Sequence, residues 1–289
     1  MRRRGILGGR LLLAVLVASA LGACGATIPT SAANLLLPAE QEEQLGREVD
    51  AQLRTQVRFL EDPAVQSYVE RVGRRVAEAS EREREIDVSF QVIDDPENVN
   101  AFATVGGRIY VFSGLLLAVR DEAELASVLA HEVAHVTHRD VARLMIGQVG
   151  LEALAAAALG QNPGMVQQIA AQLAGAGVLA AHTREQERDA DEAGLMALAR
   201  AGYEPAAMIR MYETLARLAQ SQPNVVQQFF ATHPPTEDRI QAISAMIDRM
   251  PPIRGRLGRD EHARVAERLE RYYGARRTDD ALAERRPRR

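Results

Sequence analysis

Asp121-Glu122-Ala123-Glu124-Leu125-Ala126-Ser127-Val128-Leu129-Ala130-His131-Glu132-Val133-Ala134-His135 is the stretch on which the reading of this chain turns. Asp121 is a good N-cap, and Glu124 follows three residues later, a start resembling a capping box. Leu125, Val128 and Leu129 continue an amphipathic helix into the histidines. His131 and His135 are four residues apart, so both imidazoles project from one helix face. Two such nitrogens can take adjacent corners of a tetrahedral metal site. Glu132 lies beside the first of them, placed to act as a general base without ligating. The pattern is short enough to recur by chance, so its weight depends on what else the chain supplies.

A hydrolytic zinc site needs a third protein ligand and an open fourth position. In the pattern HExxHxxGxxH a third histidine follows six residues after the second. Val141 stands there, and His138 stands at the glycine position, so that variant is excluded. An acid on a later helix is the remaining option. Thr183-Arg184-Glu185-Gln186-Glu187-Arg188-Asp189-Ala190-Asp191 offers several. Glu187 and Asp191 share one helix face. Glu187 could ligate, and Asp191 could accept a hydrogen bond from a ligand histidine and fix its tautomer. Glu185, Asp189 and Glu192 read more simply as solvated charges. The residues alone leave the choice among these acids open.

Outward from the helix, the order of elements predicts an α+β fold that is mostly helical. Glu40 to Phe59 reads as a polar helix. Asp62-Pro63 opens another, with Asp as N-cap and Pro at the first position, and Val65, Val69, Val72 and Val76 on one stripe. Ile86 to Ile93 alternates as a strand. Asn100 to Val105 and Arg108 to Phe112 read as two more strands around Gly106-Gly107. Beyond Gly114 the pattern is helical. Leu144 to Gly160 and Met165 to Ala181 are Ala-rich, and read as a buried or lid-forming helical hairpin rather than a membrane hairpin.

The composition is that of a globular protein: 289 residues, 47% hydrophobic and 26% charged. All the basic residues are Arg, and the net charge of -4 argues against a general nucleic-acid binder. The single Cys excludes an internal disulfide. Arg2, Arg3, Arg4 and Arg10 precede an apolar run, Leu11 to Leu21, too short to span a bilayer comfortably. Leu21-Gly22-Ala23-Cys24 then resembles the bacterial lipobox, which implies export and lipidation at Cys24. The expected organisation is a signal peptide over 1–23, a tether over 24–39, a catalytic domain over 40–250 and an Arg-rich tail over 251–289 with a short helix near Asp260 to Tyr273. The tail reads as solvated.

Four motifs together resemble the HtpX and CAAX-prenyl-protease-type zinc peptidases, specifically their bacterial periplasmic lipoprotein branch. They are Asn100-Ala101-Phe102-Ala103 with Gly106-Gly107-Arg108-Ile109-Tyr110-Val111 and Gly114-Leu115; the HEVAH helix; Arg184-x-x-Glu187-x-x-Ala190-Asp191-x-x-Gly194; and His233-Pro234-Pro235-Thr236 with Arg239-Ile240. The resemblance implies a zincin core of the gluzincin type. It implies one Zn²⁺ held by His131, His135 and Glu187, with Asp191 behind them and Glu132 as base. It implies an edge strand, Asn100 to Ala103, that binds an extended polypeptide by strand addition. It places His233 and Arg239 at the active site as oxyanion or carbonyl donors, and His233 is a candidate for the open zinc position in a resting state. Departures are Val105 where Pro is frequent, Asp140 where the family's helix commonly ends in Arg-His, and Thr183 for a frequent Ser.

The expected activity is hydrolysis of misfolded or unassembled envelope proteins by a lipid-anchored periplasmic enzyme. Gly25 after the lipidated Cys favours the outer membrane over the inner. The alternative is an assembly factor that uses the same fold mainly to hold clients.

Overall fold

The computed structural model describes residues 37–80, 87–176 and 182–284, with side chains described as far as Arg276. The expected signal peptide over 1–23, Cys24 and most of the expected tether lie outside the described residues. The architecture is α+β and mostly helical, around one small sheet.

The sheet has three strands, β1 (Ser89–Ile93), β2 (Ala101–Thr104) and β3 (Arg108–Phe112), in the order β1-β3-β2. β1 runs parallel to β3, with Phe90 opposite Ile109 and Val92 opposite Val111. β2 runs antiparallel to β3, with Phe102 opposite Tyr110. Strands β1 and β2 are shorter than the sequence pattern predicts. Val105 leaves the ladder because Gly106 and Gly107 both adopt left-handed backbone, φ 73° and 74°, to make the turn. β2 is an edge strand whose outer side pairs with no described strand.

Helix α1 (Ala39–Leu53) precedes α2 (Pro63–Glu78). Asp62 caps α2, accepting from Ala64 N at 3.0 Å and Val65 N at 3.3 Å. The valine stripe of α2 is buried and packs on β1 and on the central helix. A six-residue helix, α3 (Ser113–Ala118), leads to that central helix, α4 (Glu122–Thr137). All sixteen residues of α4 are buried. The sequence suggests a one-sided amphipathic helix, yet α4 is enclosed on every side by α2, β2, α8 and α9. Its acids are satisfied there. Glu122 meets Tyr203 Oη at 2.8 Å and Arg256 Nε at 2.9 Å, and Glu124 meets Arg120 Nε at 2.6 Å.

The Ala-rich region forms α5 (Asp140–Val149), α6 (Leu151–Ala158) and α7 (Pro163–Ala176). Helices α6 and α7 pack on α1. Among the described residues no single helix is long and apolar enough to cross a membrane; α5 and α6 pass that test only as a pair, and they are bent by 112°.

Helix α8 (Arg184–Arg200) lies against α4, followed by α9 (Ala207–Ser221), α10 (Gln227–Thr232) and α11 (Glu237–Arg249). The α4–α8 contact depends on Gly194. A Cβ there would sit 3.1 Å from His131 N and 3.2 Å from Ala130 O. Gly194→Ala is expected to lower stability by about 1–3 kcal/mol through overpacking, and to push Glu187 away from His131. Thermal unfolding and metal affinity would report the two effects separately.

The last helix, α12 (Arg259–Glu284), corrects the expectation of a solvated tail with a short helix. It is longer and it docks. Leu269 and Tyr273 are buried, and buried His262 bridges Tyr68 Oη and Val119 O, both at 3.0 Å. Tyr273 Oη reaches Asp94 and Ser113 at 2.7 Å, and Arg276 reaches the same Asp94 at 2.7 Å. The helix is anchored by polar contacts and a few apolar side chains, so its sequence has no clear hydrophobic stripe to betray the docking.

Candidate active site

Four elements converge beneath β2. Helix α4 contributes His131, Glu132 and His135. Helix α8 contributes Glu187 and Asp191. His233 stands at the end of α10, where Pro234-Pro235 stop the helix. Thr236 then caps α11, which carries Arg239. All seven side chains are buried.

The geometry is tight. His131 Nε2 and His135 Nε2 are 3.1 Å apart. Glu187 places Oε1 3.4 Å from His135 Nε2 and Oε2 3.6 Å from His131 Nε2. His233 Nδ1 lies 3.2 Å from His131 Nε2 and 2.9 Å from Glu187 Oε1. His131, His135, Glu187 and His233 therefore form a buried group that could hold a metal ion. Glu132 stands just outside it, with Oε1 3.4 Å from His233 Nε2 and without a hydrogen-bond partner.

Each paired histidine turns its other nitrogen to a carboxylate. His135 Nδ1 is 2.8 Å from Asp140 Oδ2. His131 Nδ1 faces Asp191 Oδ1 at 3.1 Å, though off the ideal hydrogen-bond angle. With the protons on both Nδ1 atoms, both Nε2 lone pairs would face Glu187 and each other, an arrangement that a cation between them satisfies.

Without a metal, protons take that place. Burial disfavours a charged His135, but Asp140 and Glu187 outweigh it and push the ring up to about 10. His131 is raised in the same way, against burial, by Asp191 and Glu187. Glu187 is held far below the usual carboxylate range; burial opposes this, and His233, His131 and His135 override it. Asp191 is likewise lowered against burial, by Arg239 and His131.

Arg239 differs from expectation. Its guanidinium forks onto Asp191, Nε to Oδ2 at 2.7 Å and Nη2 to Oδ1 at 2.8 Å. Nη1 pairs with Glu187 Oε2 at 2.6 Å and donates to Pro234 O at 3.0 Å. Nη2 also donates to Tyr212 Oη. The donors are occupied and the side chain is buried, so Arg239 holds the acids in place and is not turned to a developing oxyanion. The edge residues Asn100, Ala101, Phe102 and Ala103 are buried too, and both polar atoms of the Asn100 amide lack partners.

Three residues here escape the sequence reading. Tyr212 of α9 donates to Asp191 Oδ1 at 3.0 Å. Asp140 partners His135. His182 stacks on His135, with ring centroids 3.9 Å apart and planes within 11°. The sequence signals were slight: a tyrosine in an ordinary amphipathic helix, the departure at Asp140, and a histidine next to the cap of α8.

Fold and site together define a metallopeptidase built on an HExxH helix. The chain belongs to peptidase family M48, whose profile matches residues 63–247, from the start of α2 through most of α11. It is 34% identical over 252 residues to a putative beta-barrel assembly-enhancing protease of Vibrio cholerae, an overlap of 82% of this chain and 50% of the relative. It is 31% identical over 288 residues to the beta-barrel assembly-enhancing protease of Escherichia coli, covering 93% and 57% respectively. A mitochondrial metalloendopeptidase, OMA1 of Schizosaccharomyces pombe, is 34% identical over 183 residues, covering 62% and 52%. The chain spans about half the length of these curated relatives.

Proposed function

We propose that this metallopeptidase is a zinc endopeptidase of the bacterial cell envelope that cleaves unfolded or unassembled envelope proteins. The observation that carries the zinc reading is that His131 Nε2 and His135 Nε2 lie 3.1 Å apart with the Glu187 carboxylate facing both, Oε1 3.4 Å from His135 Nε2 and Oε2 3.6 Å from His131 Nε2. A tetrahedral zinc with ligands at about 2.0–2.1 Å has edges of about 3.3 Å. Three nitrogen and oxygen donors at that spacing suit zinc. The names of the bacterial relatives support the envelope setting. A signal peptide over 1–23, with lipidation at Cys24 and an outer-membrane anchor, completes the reading.

When bound, zinc supplies Lewis acidity, polarising the scissile carbonyl and acidifying the attacking water. The chain's residues do the rest. Glu132, its Oε1 without a partner, accepts the water's proton and returns it to the leaving amine. Asp191 orients His131. Arg239 neutralises Asp191 and Glu187, fixing the helix α8 acids against α4. The outer edge of β2, which pairs with no described strand but is buried at rest, takes the substrate as an added strand once uncovered, and the unpartnered Asn100 amide then supplies a donor and an acceptor for its backbone. His233, with Nδ1 3.2 Å from His131 Nε2 and 2.9 Å from Glu187 Oε1, would be a further ligand to a bound metal and would keep the site closed at rest; turned away from it, the ring could donate to the oxyanion.

Cleavage of a permanently unfolded protein tests this. Zinc-loaded protein should cleave it, chelated protein should not, and restored zinc should recover the activity. His233→Ala should raise basal cleavage several-fold if its ring closes the site. Activity that survives complete zinc removal would overturn the reading.

A further inference from the structure

We infer that Asp140 and His182 act together as a clamp that holds His135 in the tautomer and plane a metal requires, as positioning residues for the metallopeptidase site. This rests on the reading of His135 as a metal ligand. Asp140 addresses the ring's edge. Its Oδ2 sits 2.8 Å from His135 Nδ1, which favours the proton there and leaves the Nε2 lone pair free for a metal. His182 addresses the ring's face through the near-parallel stack at 3.9 Å. An imidazole held at edge and face has little freedom left to rotate.

The surrounding chain is built to hold the clamp. Arg139, between α4 and α5, has left-handed backbone at φ 56°, the only described residue other than glycine to do so. That conformation costs a residue with a Cβ roughly 1–2 kcal/mol, and such strain collects at functional sites. It folds the chain back so that Asp140 reaches His135, five residues earlier. The Arg139 side chain is buried and anchored by Glu42 and by Leu37 O, which keeps the kink in place.

Asp140 is fixed from its other side as well. Its Oδ1 accepts from Arg143 Nη1 at 2.9 Å and from Gln186 Nε2 at 3.0 Å. Gln186 has a second task. Its Oε1 accepts from Thr183 N at 2.9 Å, completing the capping box of α8. One amide therefore ties the start of the helix that carries Glu187 to the partner of His135. His182 directly precedes Thr183, so the stacking ring is set by the same cap. His135 and Glu187, two ligands from different helices, are in this way referred to one polar junction.

His182 contributes its ring rather than a bond. Its Nδ1 is enclosed and has no hydrogen-bond partner. A phenyl ring should therefore serve in its place, whereas a methyl group should not.

The test is zinc affinity of the full chain, measured by competition with a chelator, beside nitrogen NMR of the His135 tautomer in the zinc-loaded chain and unfolding of the metal-free protein. Asp140→Ala is expected to weaken zinc binding about 10–100-fold and to mix the His135 tautomers. His182→Ala should weaken it as well, and His182→Phe should restore most of that loss. If Asp140→Ala does not fold, Asp140→Asn, which keeps volume and one acceptor, should show a smaller loss in the same direction. Wild-type affinity and a single tautomer in Asp140→Ala or Asp140→Asn would overturn the clamp, as would a lowered unfolding temperature with unchanged zinc affinity. If His182→Phe binds zinc as poorly as His182→Ala, the stacking half fails. Failure of the wild type itself to bind zinc would instead sink the ligand reading.

Discussion

Glu132→Gln should lower peptide hydrolysis by about 10²–10⁴-fold, the usual contribution of a positioned general base, while zinc content and unfolding temperature stay close to wild type. The asymmetry follows from where Glu132 sits. It lies outside the group formed by His131, His135, Glu187 and His233, and its Oε1 has no hydrogen-bond partner to lose. The amide is nearly isosteric, so α4 keeps its packing, but it cannot accept a proton near neutral pH. The comparison also separates the two functional readings. A factor that only holds clients does not need a base. If Glu132→Gln abolished cleavage yet preserved biological function in full, client holding would be the main role.

The second large effect is on stability. Arg239→Met should destabilise the fold by about 3–5 kcal/mol, the range for removing one partner of a buried ion pair. Asp191 loses a two-point contact at 2.7 and 2.8 Å, and Glu187 loses its contact at 2.6 Å. Methionine fills the volume but leaves both buried carboxylates without the guanidinium that pairs with them. Added zinc should recover part of the loss, because it binds only the folded state and compensates Glu187. Chemical denaturation with and without zinc would show both. A change below about 1 kcal/mol, the range of exposed pairs, would mean that Arg239 does not hold the acids in place.

Much of this was legible in the sequence for physical reasons. The four-residue spacing of His131 and His135 needs only helix periodicity, and Asp62-Pro63 and Asp121 announced their helices as caps. Gly106-Gly107 marked the break between β2 and β3, and their left-handed backbone is what the structure adds. Gly194, which entered only as part of a family motif, gains a cause in the close approach of α8 to α4.

Other features lie in contacts that no local pattern encodes. The choice of Glu187 among several acids depends on how α8 crosses α4, and spacing within α8 cannot reveal it. Arg239 was expected to face the reaction, but the site places Asp191, Glu187 and Pro234 O around its guanidinium. Asp140 and His182 gain meaning only once the Arg139 kink and the α8 cap bring them to His135. Helix α12 docks through Tyr273, His262 and Arg276 onto groups far away in sequence, so its charged composition misleads.

The central claim is that His131, His135 and Glu187 hold a hydrolytic zinc ion, with His233 at the fourth corner at rest. X-ray absorption at the zinc edge on the purified full chain tests it most directly, together with metal content. The predicted result is one zinc per chain, with nitrogen and oxygen neighbours only, at about 2.0–2.1 Å, and a loss of imidazole scattering in His233→Ala. A chain that binds no zinc stoichiometrically, or whose zinc spectrum is unchanged when His131 and His135 are both replaced, would contradict it.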